Sequence, residues 1–439
     1  MTDYTRQPAL DQEKLSKARI AISSSSAIAH FFCLYACGLG IGNIRIIDSS
    51  LIEDNANEFL FGRDWLRFIK KESKARKLEE KLSGINSDIL FEGINLNLEK
   101  CLLGKPDVIL DLTNSKHSKH LCLEHAMQTK TPMISCSSSM RTAAIAVFNP
   151  KSKSNNLFKH QTLLKEYNGY RQGIFTSAII AAIALDETRK IIAPIENDHT
   201  LSGRLDYNLD LKERLTIKNQ KPSNKKSKAS NMLVAGAGGI GTYAALCLAL
   251  MGADFTIYDG DTVESSNLNR QVLYTNHLGE NKASSLKKEL EQVSGSEIKS
   301  CQRHLTEEDI SSQYSSILCC VDSWEAREFI SKKCVESNIP LINGSVTAFS
   351  ARVETGCLEC RYDFKELKRL QNSRGSCNAV EESNIVMANA LAGAMMAAES
   401  ASISPVEGFE YFSNPALRGR FRVSGSEECT CRRKKWGWF

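Results

Sequence analysis

A chain of 439 residues with 42% hydrophobic and 24% charged residues has room for two or three globular domains, each with its own core. Its formal net charge of +5 is too small to demand a nucleic acid. The basic runs at 225–228 and 432–435 read as a solvated linker and a tail. No apolar run reaches the ~18 residues that span a bilayer, so no membrane segment is expected. The first residues do not read as a secretory signal, and fifteen cysteines, an odd number, fit free thiols in a reducing, cytoplasmic setting.

The predicted elements, taken in order, occur twice. "ARIAISSSSAIAHFFCLYACGLGIGNIRIIDSS" (18–50) reads as an apolar strand, a turn of tiny residues, a helix and a second strand ending at Asp48. An amphipathic helix (70–82), an apolar strand (107–115) and a strand pair (131–148) follow. A small-residue helix (176–192) and a further strand pair (201–217) complete the first half. After a Lys/Ser/Asn stretch the order restarts with "NMLVAGAGGIGTYAALCLALMGADFTIYDGD" (231–261). It continues through 281–293, 315–323, 339–354, 385–401 and 409–423. The reading is α/β, with two tandem Rossmann-like domains forming an intramolecular pseudodimer. One spans 1–218, a linker spans 219–230, and the second spans 231–439 and carries a Cys-rich zinc lobe.

The copies differ at the carboxyl ends of strands, where chemistry would sit. Gly236, Gly238, Gly239 and Gly241 form a loop that brings backbone against a phosphate at a helix N-terminus, whereas the first half has Ser24, Ser26 and Ala29 in place of Gly236, Gly238 and Gly241. Asp259, with Asp261 beside it, ends the next strand and is placed to accept from ribose hydroxyls. To that point NAD and ATP fit equally. "SSNLNRQ" then supplies Asn267 and Arg270, and Lys282 follows; a triphosphate needs such cations as pyrophosphate departs, and a dehydrogenase does not. Asp322, after "ILCCV", is placed to hold Mg²⁺. The first half has Phe59 for Arg270 and Asn114 for Asp322, which marks it as degenerate.

The set "GAGGIG…YDGDTVESSNLNRQ…GENK…CVDS…CLEC" resembles the adenylating domain of ubiquitin-activating-type enzymes and their MoeB/ThiF relatives, across nearly all of the second half and, in degraded form, the first. The resemblance implies ATP-dependent adenylation of the C-terminal carboxylate of a small ubiquitin-like or sulfur-carrier protein with a flexible C-terminus ending in Gly-Gly. A downstream conjugating or sulfur-transfer protein would follow. It implies that Asp259 binds ribose, that Asn267, Arg270 and Lys282 bind phosphates, and that Asp322 handles Mg²⁺. Where the family commonly has Asn after that aspartate, this chain has Ser323. "DYTRQ" (3–7) resembles the family's "RYNRQ" segment, so Arg6 would reach from the first half into the live site of the second.

Cys357 and Cys360 form a C-x-x-C pair and Cys429 and Cys431 a C-x-C pair. Two readings stand: a structural Zn²⁺ closed by four thiolates, or two free or redox-active pairs. Cys377, in a polar loop near Arg374, resembles the nucleophile of minimal activating enzymes. Both thioester formation there and release of the adenylate itself stay open. A short-peptide acceptor, a NAD-dependent oxidoreductase and a non-catalytic scaffold are the rival functions.

Overall fold

The computed structural model describes residues 2–52, 59–61, 71–150, 171–196, 198–201, 203–210, 215–216, 231–373, 384–402, 408–413 and 431. The first half builds one sheet from β1 (Arg19–Ile22), β2 (Asn43–Ile47), β3 (Leu90–Ile94), β4 (Val108–Asp111), β5 (Met133–Ser138), β6 (Thr142–Phe148), β7 (Gly203–Asn208) and β8 (Leu215–Thr216). Their spatial order is β3-β2-β1-β4-β5-β6-β7-β8. The first five are parallel and the last three antiparallel.

The second half repeats the plan with β9 (Met232–Ala235), β10 (Phe255–Tyr258), β11 (Lys299–Cys301), β12 (Ser316–Cys319), β13 (Leu341–Thr347), β14 (Ser350–Thr355) and β15 (Gly408–Phe412). Their order is β11-β10-β9-β12-β13-β14-β15. The two sheets confirm the tandem Rossmann-like reading. The partner expected for β15 in the closing strand pair lies outside the described residues.

Central strands such as "MLVA" are short, wholly apolar and buried on both faces, as parallel strands between helical layers must be. The helices that flank the midline are equally apolar. In the Gly239–Leu250 helix every residue from Ile240 on is buried, and in the Val386–Ser400 helix every residue through Glu399 is. A helix apolar all round needs partners on all sides. They find them in each other and in the first half's Ala27–Leu39 and Ile174–Ile192 helices, so one core runs through both halves.

Across that seam the Tyr35 and Tyr243 rings meet edge-on, with centroids 5.2 Å apart. Gly38 permits a close approach, since a Cβ there would lie 2.7 Å from the Asn269 carbonyl oxygen. The seam also carries charge. Tyr411 Oη donates to Asp186 at 2.9 Å and Arg189 donates to Ser413 Oγ at 3.0 Å. Burying such groups is tolerable only because they are paired. No helix among the described residues is long and apolar enough to cross a membrane.

Candidate active site

In each sheet the strand order reverses beside the first strand, between β1 and β4 and between β9 and β12, and ligands of doubly wound folds bind outside the carboxyl ends of strands at that reversal. In the second half the glycine-rich loop occupies this place. Gly236 has φ +96°, and a Cβ on it would lie 3.0 Å from the Cys320 carbonyl oxygen. A Cβ on Gly241 would lie 1.9 Å from the Gly236 oxygen. Gly238, which caps the 239–250 helix without a side-chain acceptor, faces open space with nothing within 4 Å of its would-be Cβ. The loop therefore presents the positive end of a buried helix to an open cradle.

Asp259 is 7% exposed and fixed by two backbone donors, Ala237 N–H at 2.6 Å and Asp261 N–H at 2.8 Å. Burial pushes its carboxyl above the usual range, and those amides offset only part of the rise. Asn281 caps the Lys282–Ser294 helix and donates to the carbonyls of Asp259 (3.0 Å) and Asp261 (3.1 Å), tying that helix start to the strand end. Lys282 follows at once, and its ammonium rests on Asp261 Oδ2 at 3.0 Å.

Arg270 is 9% exposed. Its guanidinium donates to Ser266 O (2.6 Å) and Asn269 Oδ1 (3.0 Å), and Tyr243 Oη holds its carbonyl at 2.7 Å. Among the described residues it has no ion-pair partner. Burial and the nearby charge of Arg6 lower its pKa to about 10. The N-terminal segment thus brings the charge of Arg6 within electrostatic reach of Arg270, and the Arg6 carbonyl accepts from Asn384 N–H at 2.8 Å.

Asn267 Oδ1 closes a capping box with Glu264 N–H at 3.1 Å, which fixes the turn that carries Arg270. Asp322 is exposed in the turn after β12, on the segment that Gly236 abuts. Ser323 caps the Trp324–Ser337 helix through Ala326 N–H at 3.1 Å. Cys377 and Arg374 lie outside the described residues.

The first half keeps the frame and fills the cleft. Asp48 is held by Ser25 N–H (2.9 Å) and Ser50 N–H (2.8 Å), matching Asp259 donor for donor. Here the Ser25 and Ser50 hydroxyls add two further donors. They outweigh the effect of burial, so this carboxyl falls below its ordinary value. Phe59 packs on Phe31 at 4.7 Å between ring centroids. The Gln172 carboxamide accepts from Ile28 N–H at the helix start (3.1 Å) and donates to Leu112 O (3.1 Å), spanning the place a phosphate would take. Asn114 is spent on Ser138, donating to its carbonyl at 2.8 Å. The sequence carried no signal for Gln172, which is remote in the chain from everything it touches.

At the far end of the second half, the sulfur atoms of Cys357, Cys360 and Cys431 lie within 4.8 Å of one another, and Cys360 Sγ is 2.9 Å from Cys431 Sγ. Three converging thiols fit a tetrahedral thiolate site for zinc. Cys429, the fourth expected ligand, lies outside the described residues.

The profile described as ThiF family matches the chain twice, over residues 4–227 and 212–424. The molybdopterin-synthase adenylyltransferase of Haemophilus influenzae is 37% identical over 134 residues, which are 29% of this chain and 55% of that protein. The sulfur carrier protein ThiS adenylyltransferase of Escherichia coli is 33% identical over 154 residues, 32% of this chain and 61% of that protein. Among solved structures, E. coli MccB with ATP aligns with a TM-score of 0.39 at 22% identity, over 46% of this chain and 65% of that one. The chain thus spans less than two thirds of each of these relatives.

Proposed function

The chain belongs to the ThiF family, and on that footing we propose that it adenylates the C-terminal carboxylate of a small ubiquitin-like or sulfur-carrier protein, using ATP. The observation that carries this reading is the buried Arg270, tied through Tyr243 to the helix that starts at the glycine-rich loop and within the field of Arg6 from the other half, with no ion-pair partner among the described residues. A buried guanidinium whose charge is offset only by the more distant field of Glu264 is destabilised, and a polyphosphate would supply a direct counter-charge.

In the proposed reaction a carboxylate oxygen attacks the α-phosphorus, the bond from that phosphorus to the β-phosphate's bridging oxygen breaks, and pyrophosphate leaves. No general base is required, because the carboxylate is already ionised at neutral pH. Asp259 fixes the ribose. Arg6 and Arg270 take up the charge that develops, and Lys282 exchanges Asp261 for phosphate. Mg²⁺, held through Asp322, would neutralise phosphate charge. Residues 1–218 act in this scheme as the degenerate partner that lends Arg6, 219–230 as linker and 231–439 as the active domain. A Zn²⁺ on Cys357, Cys360, Cys431 and Cys429 would staple the second half, and transfer to Cys377 is a later step on which adenylation does not depend.

Purified protein with Mg²⁺ and a low-molecular-weight protein fraction should catalyse ATP–pyrophosphate exchange, and should bind one ATP per chain by calorimetry. No exchange, together with tight NAD binding, would overturn the reading.

A further inference from the structure

The first turn of the 386–400 helix carries a buried asparagine that the scheme above does not use. Asn389 is 2% exposed, and its Nδ2 donates to Asn384 Oδ1 at 2.6 Å and to Ile385 O at 2.9 Å. Asn384 in turn donates its backbone N–H to the Arg6 carbonyl at 2.8 Å. On its other side Asn389 touches the nucleotide loop. A Cβ on Gly239 would lie 2.3 Å from Asn389 Oδ1, so the carboxamide fills the space that this glycine leaves. One side chain therefore borders the phosphate loop and, through Asn384, the peptide of the arginine that crosses from the first half.

The first half lacks the device. In the matching helix Ser177 faces Ser138, with the two hydroxyls 2.9 Å apart, and Gln172 precedes the helix cap where Asn384 precedes it in the second half. The carboxamide before the cap plugs the cleft in one half and is drawn aside by Asn389 in the other.

We propose that Asn389 is a positioning residue for adenylation: acting through Asn384, it seats Arg6 and keeps it in register with the glycine-rich loop. This inference rests on reading the site as an adenylation centre. Its test is a double-mutant cycle in ATP–pyrophosphate exchange with Arg6→Ala and Asn389→Ala, and Asn389→Ser as a milder variant should the alanine fail to fold. Arg6→Ala lowers kcat about 10²–10³-fold, the scale of losing one preorganised donor. Asn389→Ala lowers it about 10–100-fold, the scale of a misplaced group. Because Asn389 acts through Arg6, the double variant is no slower than Arg6→Ala alone.

Amide hydrogen exchange at Asn384 supplies a readout independent of turnover, and it speeds up when Asn389 is replaced. An equal loss in both backgrounds, or unchanged protection at Asn384, overturns the proposal. A wild-type protein that shows no exchange with Mg²⁺ and the acceptor fraction refutes the adenylation reading instead, and with it Asn389's positioning role in adenylation. The amide measurement then still decides whether Asn389 holds the Arg6 peptide.

Discussion

The two halves share strand order, helix placement and even the pair of backbone amides that clasp the aspartate after the second strand. They differ in what stands at the mouth of the cleft. The second half leaves a glycine cradle and, tied to the helix behind it, the buried Arg270 within the field of the first half's Arg6. The first half puts a glutamine across the helix start, two serine hydroxyls on the aspartate and a phenylalanine where the arginine would be. Polar groups that a ligand would satisfy must otherwise be satisfied internally, because buried donors and acceptors are costly to leave unmade. In the proposed scheme the first half's cleft is closed by its own side chains, and the fold around it is spared.

The sharpest way to break the comparison is to treat Arg270 and Phe59 alike. Arg270→Ala should lower exchange about 10²–10³-fold and leave the melting temperature unchanged or raised, since it removes a buried cation repelled by Arg6. Phe59→Ala should do the reverse. It opens a hole among Phe31 and His30, costs about 3–5 kcal/mol and leaves the kcat of the folded fraction intact. Loss of exchange in a folded Phe59→Ala protein would mean that the first half takes part in the chemistry beyond Arg6.

The metal site separates the halves at the next level. The thiol cluster belongs to the second half alone among the described residues, so one Zn²⁺ per chain is the expected content by atomic emission. Cys357→Ser should empty the site and lower the melting temperature, because a structural metal contributes directly to folding. Unaltered metal content in that variant would return the cluster to the reading of free or redox-active thiols.

How far the sequence revealed this follows from what lies close in the chain. The glycine loop, Asp259, Arg270 and Lys282 fall within one stretch of strand, turn and helix, so local spacing places them. The repeat was legible because both copies keep the same order of apolar runs. Arg6 was reached only through a resemblance, since nothing local aims a terminal segment into a site on the other half. Gln172 and Asn389 carried no signal, because their partners lie at Ile28 and Leu112 and at Gly239. Asn267 was placed among the phosphate ligands by its motif, and in the structure its side-chain oxygen closes a turn. Polar side chains near a loop serve either backbone or ligand, and spacing does not say which.

The smallest expected effect tests the two aspartates directly. Asp48 has a carboxyl below its ordinary value, because the Ser25 and Ser50 donors outweigh burial. Its contribution to stability is therefore present above the unfolded value near ~3.9 and is lost as pH falls through the lower folded one. Asp259 has a carboxyl above its ordinary value, because burial outweighs its donors. It costs stability at neutral pH, and that cost fades as pH falls through the raised folded value toward the unfolded one. Asp48→Asn should consequently destabilise by about 1–3 kcal/mol at neutral pH, the range for a hydrogen-bonded charge, with the deficit shrinking below pH ~4. Asp259→Asn should cost less, since the amide relieves the buried charge while giving up one backbone donor. Urea unfolding of both variants at neutral and acid pH measures this. If Asp259→Asn costs as much as Asp48→Asn, the two carboxylates sit in equivalent surroundings, and Asp259 is then no more available to a ribose than its counterpart in the filled cleft.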